Sequence, residues 1–100
     1  MLIIRDVFTA KPGQATKLAK LMKKVFAKDP TTRVMTDLVG DYNTVVLEMQ
    51  AKNLAEYEKE LNAYRTGKTS SKIDPDAFND MKNYTELWYT GRREIYQVTE

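Results

Sequence analysis

The order in which the apolar pattern changes along the chain is the feature that most limits its fold. Apolar stretches typical of strands cover residues 2–9, 32–39, 44–51 and 92–99. Apolar residues at helical spacing cover residues 15–26, a helix that ends at Asp29-Pro30, and residues 53–64, with Leu54, Tyr57, Leu61 and Tyr64 on one face. A third helical stretch begins at Asp74, the predicted N-cap, with Phe78 and Met81 on its buried side and Leu87 and Trp88 as further candidates for that side, and Gly91 interrupts it before the last strand. The predicted order is β-α-β-β-α-(α)-β. Since 100 residues are near the usual size of one compact unit, residues 1–100 are predicted to form a single domain.

This order is that of the split βαβ, or ferredoxin-like, arrangement, an α+β fold. We expect a four-stranded antiparallel sheet with the helices on one face and the other face bare. The first strand is apolar on both sides, with Ile4 and Phe8 on one and Ile3 and Val7 on the other. Because such a strand normally has something packed on both sides, the sequence predicts a homodimer in which a second sheet covers the bare face.

The composition excludes several classes of function. The chain has no cysteine and no histidine, which excludes thiol nucleophiles and the usual zinc and haem ligands. No stretch of about 18 apolar residues occurs, so no membrane span is expected. Arg5 and Asp6 end the short apolar start, so no signal peptide is predicted and a cytoplasmic location is expected.

Nucleic acid is not a predicted partner. The 16 Lys and Arg residues are nearly balanced by 14 Asp and Glu, for a net charge of +2. RNA-recognition domains of the same topology stack bases on aromatic side chains of the first and third strands. Phe8 is the single aromatic residue in the first predicted strand, and residues 44–51 contain none.

Nearly the whole chain resembles the dimeric α/β-barrel superfamily, which includes antibiotic-biosynthesis-monooxygenase-like and NIPSNAP-like domains. The resemblance lies in a strand leading into Thr9-Ala10-Lys11-Pro12-Gly13, a Lys-rich amphipathic helix, a third strand containing Glu48 that leads into the helix at 53–64, and an extra helix before the last strand. It implies a dimer whose two sheets face each other, sometimes around a pocket for an aromatic or polycyclic ligand.

The same resemblance implies several activities, and the sequence departs from some of them. The haem-using members rely on an axial histidine, which this chain lacks, so no cofactor is predicted. Cofactor-free oxygenation needs only a pocket that orients and deprotonates an electron-rich substrate, which carboxylates, tyrosine or arginine can do.

Polar strand residues expected in the space between the sheets are the candidate catalytic groups. Asp6 or Glu48 would serve as base and Tyr96 would position the substrate, while Phe8, Gln50 and Trp88 would line the ligand pocket. The structural alternative is that the acids pair with Arg5, Arg33 or Arg92 across a dimer, and that the aromatic residues are packing residues.

Three functions follow as hypotheses. The first is a dimeric barrel protein that binds a small organic ligand, such as an aromatic compound, between its two sheets. The second is a cofactor-independent, monooxygenase-like enzyme acting on a phenolic or polycyclic substrate. The third is a dimerisation module without a ligand.

Overall fold

The structure is a computed structural model, and it describes residues 1–66 and 79–100. The elements, in chain order, are β1 (Leu2–Ala10), α1 (Ala15–Val25), β2 (Arg33–Thr36), β3 (Thr44–Ala51), α2 (Leu54–Arg65), a 3-10 helix (Asn79–Leu87) and β4 (Trp88–Gln97). The four strands form one antiparallel sheet in the order β2-β3-β1-β4. The predicted α+β fold of ferredoxin-like topology is confirmed.

The register divides the sheet into two faces. In an antiparallel pair, directly opposed residues point to the same side. Asp6 of β1 lies opposite Leu47 of β3 and Arg93 of β4, whereas Arg5 lies opposite Glu48 and Glu94. We call the side of Asp6 the covered face and the side of Arg5 the open face.

The core lies between the covered face and the helices. Helix α1 buries Leu18, Met22 and Val25 at helical spacing and turns its lysines outward. These three residues pack in one cluster with the buried residues of the covered face, namely Ile4, Phe8, Ala10, Val45, Leu47, Met49 and Ala51. Among the described residues, the helices therefore pack on one face of the sheet.

Helix α2 begins at a side-chain cap. The Asn53 side chain accepts a hydrogen bond of 2.9 Å from the backbone N–H of Glu56. Tyr57 is buried, and Leu61 and Tyr64 are half-buried, as the helical spacing predicts. Leu54, predicted for the same face, is 62% exposed because it lies in the first turn, before the helix reaches the core.

Strand β2 ends three residues earlier than predicted. The Asp37 carboxylate accepts the backbone N–H of Thr44 at 3.0 Å, and the Asp37 N–H donates to the Thr44 carbonyl. This closure turns the chain out of the sheet, so Leu38 and Val39 are almost fully exposed although they are strand formers. A local side-chain hydrogen bond outweighs β propensity here.

The last part of the chain also differs from the prediction. Residues 79–87 form a 3-10 helix kinked at Asn83, and β4 begins at Trp88 and continues through Gly91, where an interruption was expected. Trp88, assigned to the third helix, is thus a strand residue. Asp74 and Phe78 lie outside the described residues, so their predicted roles are not tested.

Candidate functional site

A cavity of about 300 Å³ lies between the covered face and the helices. The sheet contributes the floor, α1 and α2 contribute two walls, and the 3-10 helix contributes a third. Its lining is mainly apolar and aromatic: Phe8, Met22, Phe26, Leu47, Met49, Tyr57, Leu61, Tyr64, Met81, Tyr84, Trp88 and Gly91, with Asp6, Asp29, Glu60, Arg92 and Arg93 as the charged members.

Asp6 and Arg93 form a two-point ion pair at this cavity. They are opposed on neighbouring strands, and Arg93 donates from Nε to Oδ1 at 2.6 Å and from an Nη to Oδ2 at 3.3 Å. The hydrogen bond to Asp6 raises the pKa of Arg93 although partial burial acts in the opposite direction. Both oxygens of the carboxylate therefore face a charged donor that stays protonated.

The aromatic wall is centred on Trp88. Its ring lies 5.2 Å from that of Phe8 and 6.0 Å from that of Tyr84, with both pairs tilted. Gly91 allows this packing, because a Cβ there would lie 3.1 Å from Cδ1 of Phe8 and 3.5 Å from the Trp88 ring. A side chain at this position would require the Phe8 ring to shift by a few tenths of an ångström.

Two tyrosines from α2 complete the wall opposite the sheet. Burial raises the pKa of Tyr57 and, more strongly, that of Tyr64. The guanidinium of Arg93 lies 5.8 Å from the centre of the Tyr57 ring, and the Tyr64 hydroxyl lies 3.8 Å from Sδ of Met81. Both hydroxyls therefore remain protonated at neutral pH and can act as hydrogen-bond donors.

A separate polar cluster lies on the open face around Glu48. Its carboxylate is only 8% exposed, with Nη2 of Arg33 at 2.9 Å and Nε of Arg5 at 3.9 Å. The Arg5 guanidinium also lies 5.9 Å from the centre of the Tyr96 ring. Glu48 thus lies between two arginines from the strands on either side of it.

The structure does not bring the three predicted catalytic residues together. Glu48 and Tyr96 lie on the open face, but Asp6 lies on the covered face, so its predicted position between two sheets is wrong. The physical reason is strand alternation: Asp6 is an even-numbered residue of β1 and shares a side with Ile4 and Phe8. Whether any of the three is catalytic stays a prediction.

The predicted pocket residues are divided in the same way. Phe8 and Trp88 both line the cavity. Gln50 pairs with Ile3 and Tyr96 in the register of the open face, away from the cavity. The expectation that these three side chains share one pocket is therefore wrong.

Several residues that line the cavity were not predicted from the sequence. Arg93 is not among the predicted residues, because only the register of β1 with β4 pairs it with Asp6. Asp29 was interpreted only as the end of a helix, yet it is buried and accepts hydrogen bonds from the backbone N–H and hydroxyl of Thr31 and the hydroxyl of Thr32. An Asp followed at two and three residues by Thr is the local signal for such a turn.

Two further findings concern the described part of the chain only. Within residues 1–66 and 79–100, no three acidic side chains converge in a way that could hold a metal ion. The helices in these ranges are all too short or too polar to cross a bilayer.

Comparison with known proteins extends the fold assignment. No protein-family model matches the sequence, and no curated protein matches it. Solved structures do match along almost the whole chain. A NIPSNAP family protein from Agrobacterium tumefaciens matches with a TM-score of 0.76 at 10% identity, covering 99% of this chain and 93% of that one.

Two other structures are similar. An uncharacterised NIPSNAP domain protein from Burkholderia xenovorans has a TM-score of 0.70 at 11% identity, with 99% of this chain and 95% of that chain covered. A proposed antibiotic biosynthesis monooxygenase from Deinococcus radiodurans has a TM-score of 0.63 at 15% identity, with 100% and 94% covered. The resemblance read from the sequence is thus confirmed at the level of the fold.

Proposed function

We propose that this protein binds a small organic molecule in the cavity between the covered face and the helices, and that it acts as a homodimer. The cavity itself carries the first part of the proposal. Its volume of about 300 Å³ is at the lower end of the usual range for small-molecule sites. Apolar and aromatic walls with a few fixed polar groups are the usual construction of such sites.

The site favours binding without turnover. Asp6 is the predicted base that lines the cavity, and Arg93 already donates a hydrogen bond to each of its oxygens. A carboxylate engaged in this way has no free oxygen positioned to take a proton from a substrate. Glu48 and Tyr96, the other candidates for oxygenase chemistry, lie on the opposite face of the sheet.

Filling the cavity from α2 tests ligand binding. We expect N-phenyl-1-naphthylamine, an uncharged dye whose emission rises in apolar surroundings, to bind the wild-type protein. Leu61→Trp should weaken binding at least about tenfold, since the larger side chain would occupy the cavity. Leu54→Trp is the matched control on the same helix, because Leu54 is 62% exposed, and it should bind the dye like the wild type. Equal binding by both variants would contradict the proposal.

The open face supports the homodimer. At its centre Val46 lies opposite Val7 of β1 and Met35 of β2, and these three side chains form an apolar strip across the sheet. Around the strip, Glu48 with Arg33 and Glu94 with Arg92 alternate acid and base. A second copy related by a two-fold axis presents the same strip and the same alternation, so each acid can face a base of its partner.

Sedimentation equilibrium tests the dimer. We expect micromolar protein to give about twice the chain mass of 11.6 kDa. Val46→Lys places a charge in the middle of the apolar strip and should give the monomer mass. Glu58→Lys, an exposed change on α2, is the control and should stay dimeric. A wild-type mass of one chain, or a dimer in both variants, would rule out this interface.

A further inference from the structure

Arg93 keeps hydrogen-bonding capacity after its ion pair with Asp6 is made. A guanidinium offers N–H groups along more than one edge of its plane, and the pair with Asp6 uses the edge formed by Nε and Nη2. Within the described part of the chain, Arg93 has no other hydrogen-bond or ion-pair partner. The edge at the end of the side chain, formed by Nη1 and the second N–H of Nη2, therefore has parallel donors to offer. We call it the free edge.

The free edge belongs to a residue at the mouth of the cavity. Arg93 lines the cavity, yet its side chain is 44% exposed, whereas that of Asp6 is 13% exposed. The guanidinium is thus accessible to a ligand while water still reaches it. A charged group that binds there keeps part of its hydration, so its cost is smaller than in the apolar interior of the cavity.

The guanidinium is held in place before a ligand binds. Asp6 accepts its two hydrogen bonds at 2.6 Å and 3.3 Å, and the guanidinium carbon lies 5.8 Å from the centre of the Tyr57 ring. The hydrogen bond to Asp6 raises the pKa of Arg93, so the group stays charged. Since little freedom of the side chain is left to lose, a ligand binds the free edge at a low entropic cost.

The charges around the mouth are compatible with an anionic ligand. A carboxylate on the free edge lies nearer to the guanidinium than to Asp6 on the other edge, so attraction exceeds repulsion. Asp29, another acid of the lining, is engaged by hydrogen bonds within its own turn. Glu60 raises and Arg65 lowers the pKa of Tyr57, so these two charges oppose each other on the side of α2.

Resting on the proposed ligand cavity, we infer that its ligand is an apolar carboxylic acid, bound as the carboxylate by the free edge of Arg93, with its apolar body inside the cavity. The two oxygens of a carboxylate match the parallel N–H groups of a guanidinium edge, and such hydrogen bonds are charge-assisted. The body lies among the aromatic and methionine side chains of the wall, such as Phe8 and Met22. Arg93 then determines specificity, and Asp6 is a positioning residue that acts through it.

A matched acid and amide test the inferred head group. The probes are 1-naphthylacetate and 1-naphthylacetamide, which share a ring system and a shape and differ in charge. Because hydrogen bonds between charged groups are stronger than those to a neutral acceptor, we expect the acid to bind about tenfold more tightly in isothermal titration calorimetry. The acid should also shift the side-chain ¹H–¹⁵N signals of Arg93 in an NMR titration.

Arg93→Lys keeps a positive charge beside Asp6 and removes the planar edge. It should reduce the preference for the acid to about twofold or less. Arg33→Lys, the same change on the open face, is the matched control and should retain the preference. If Arg93→Lys does not fold, the affinities of the wild-type protein and its Arg93 signals remain decisive.

The outcomes separate the two proposals. Equal binding of acid and amide, with the Met81 methyl signal perturbed and the Arg93 signals unmoved, overturns the role of Arg93 and leaves the cavity as a ligand site. An undiminished preference for the acid in Arg93→Lys likewise overturns that role. If neither probe nor N-phenyl-1-naphthylamine perturbs any of these signals, both the inference and the proposed function are wrong.

Discussion

Each face of the sheet has a largely buried carboxylate that is paired with arginine, Asp6 on the covered face and Glu48 on the open face, and the two differ in their surroundings. On the covered face Asp6 is 13% exposed and has one bidentate partner, Arg93, under a layer of helices. On the open face Glu48 is 8% exposed, without a layer above it in the described chain, and its partners Arg5 and Arg33 are 43% and 66% exposed. The more deeply buried acid is thus on the face without helices, where the stems of neighbouring side chains cover it.

This comparison teaches that the burial of a single side chain does not identify an interior. The two faces differ in whether the arginine partner can become hydrated once the acid is replaced. Arg33, which lies 2.9 Å from Glu48, is 66% exposed and can turn to water, whereas Arg93 is 44% exposed and lies against Tyr57 and the cavity wall.

The largest expected effect comes from removing the acid on the covered face. Asp6→Ala should lower the free energy of unfolding by about 2–3 kcal/mol, less than a fully buried pair would lose because Arg93 is 44% exposed. Glu48→Ala, measured at a dilution where the chain is monomeric, should cost about 1 kcal/mol, since its hydrogen-bonded partner Arg33 is 66% exposed and rehydrates. Urea unfolding followed by circular dichroism measures both. Equal losses would erase the distinction between the faces.

Two adjacent valines allow the two faces to be compared with uncharged side chains. Val45 is fully buried on the covered face, and Val46, the next residue of β3, is half-buried on the open face. Val45→Ala should cost about 2 kcal/mol through lost burial and the cavity left behind. Val46→Ala should cost less than about 1 kcal/mol in the dilute monomer. If its cost grows with protein concentration, dimer formation through the open face accounts for the difference.

The smallest effect is seen only in alkali. Burial raises the pKa of Tyr57 and Tyr64, so the native state keeps protons that the unfolded chain loses above about pH 10. Their contribution to stability is complete below that pH and is lost as the pH rises. Replacing both with Phe should flatten the fall of the unfolding free energy between about pH 10 and 12, measured by urea titration at each pH. Parallel curves for wild type and variant would show that the cavity does not shield these hydroxyls.

The fold was predictable wherever one periodicity extended over a whole element. The spacing of Leu18, Met22 and Val25 located α1, and the apolar run of residues 44–51 located β3, because in both cases the buried pattern and the local propensity agree. Prediction failed at the end of β2, where the Asp37 side chain closes a turn around residues with strand propensity. It also failed at Trp88, since a large apolar residue at a boundary fits a helix and a strand equally well.

The site was less predictable than the fold. Phe8 and Trp88 line a cavity within one chain, between elements whose contact no local pattern encodes, and not the predicted space between two sheets. The placement of Asp6 was a different kind of error, because alternation along β1 contained the answer. Arg93 could be found only from the register of β1 with β4, which joins residues 87 positions apart.

Gly91 has a consequence for how such a cavity can change. It is the point where the floor of the cavity has no side chain, and Phe8 and Trp88 already fill the space a methyl group would need. A substitution there leaves the backbone hydrogen bonds of β4 intact and moves the Phe8 ring by a few tenths of an ångström. A single substitution in an edge strand can therefore change the depth of the cavity without changing the sheet. Proteins that share this fold can thus differ in the molecules that fit their cavities while their sheets remain superimposable.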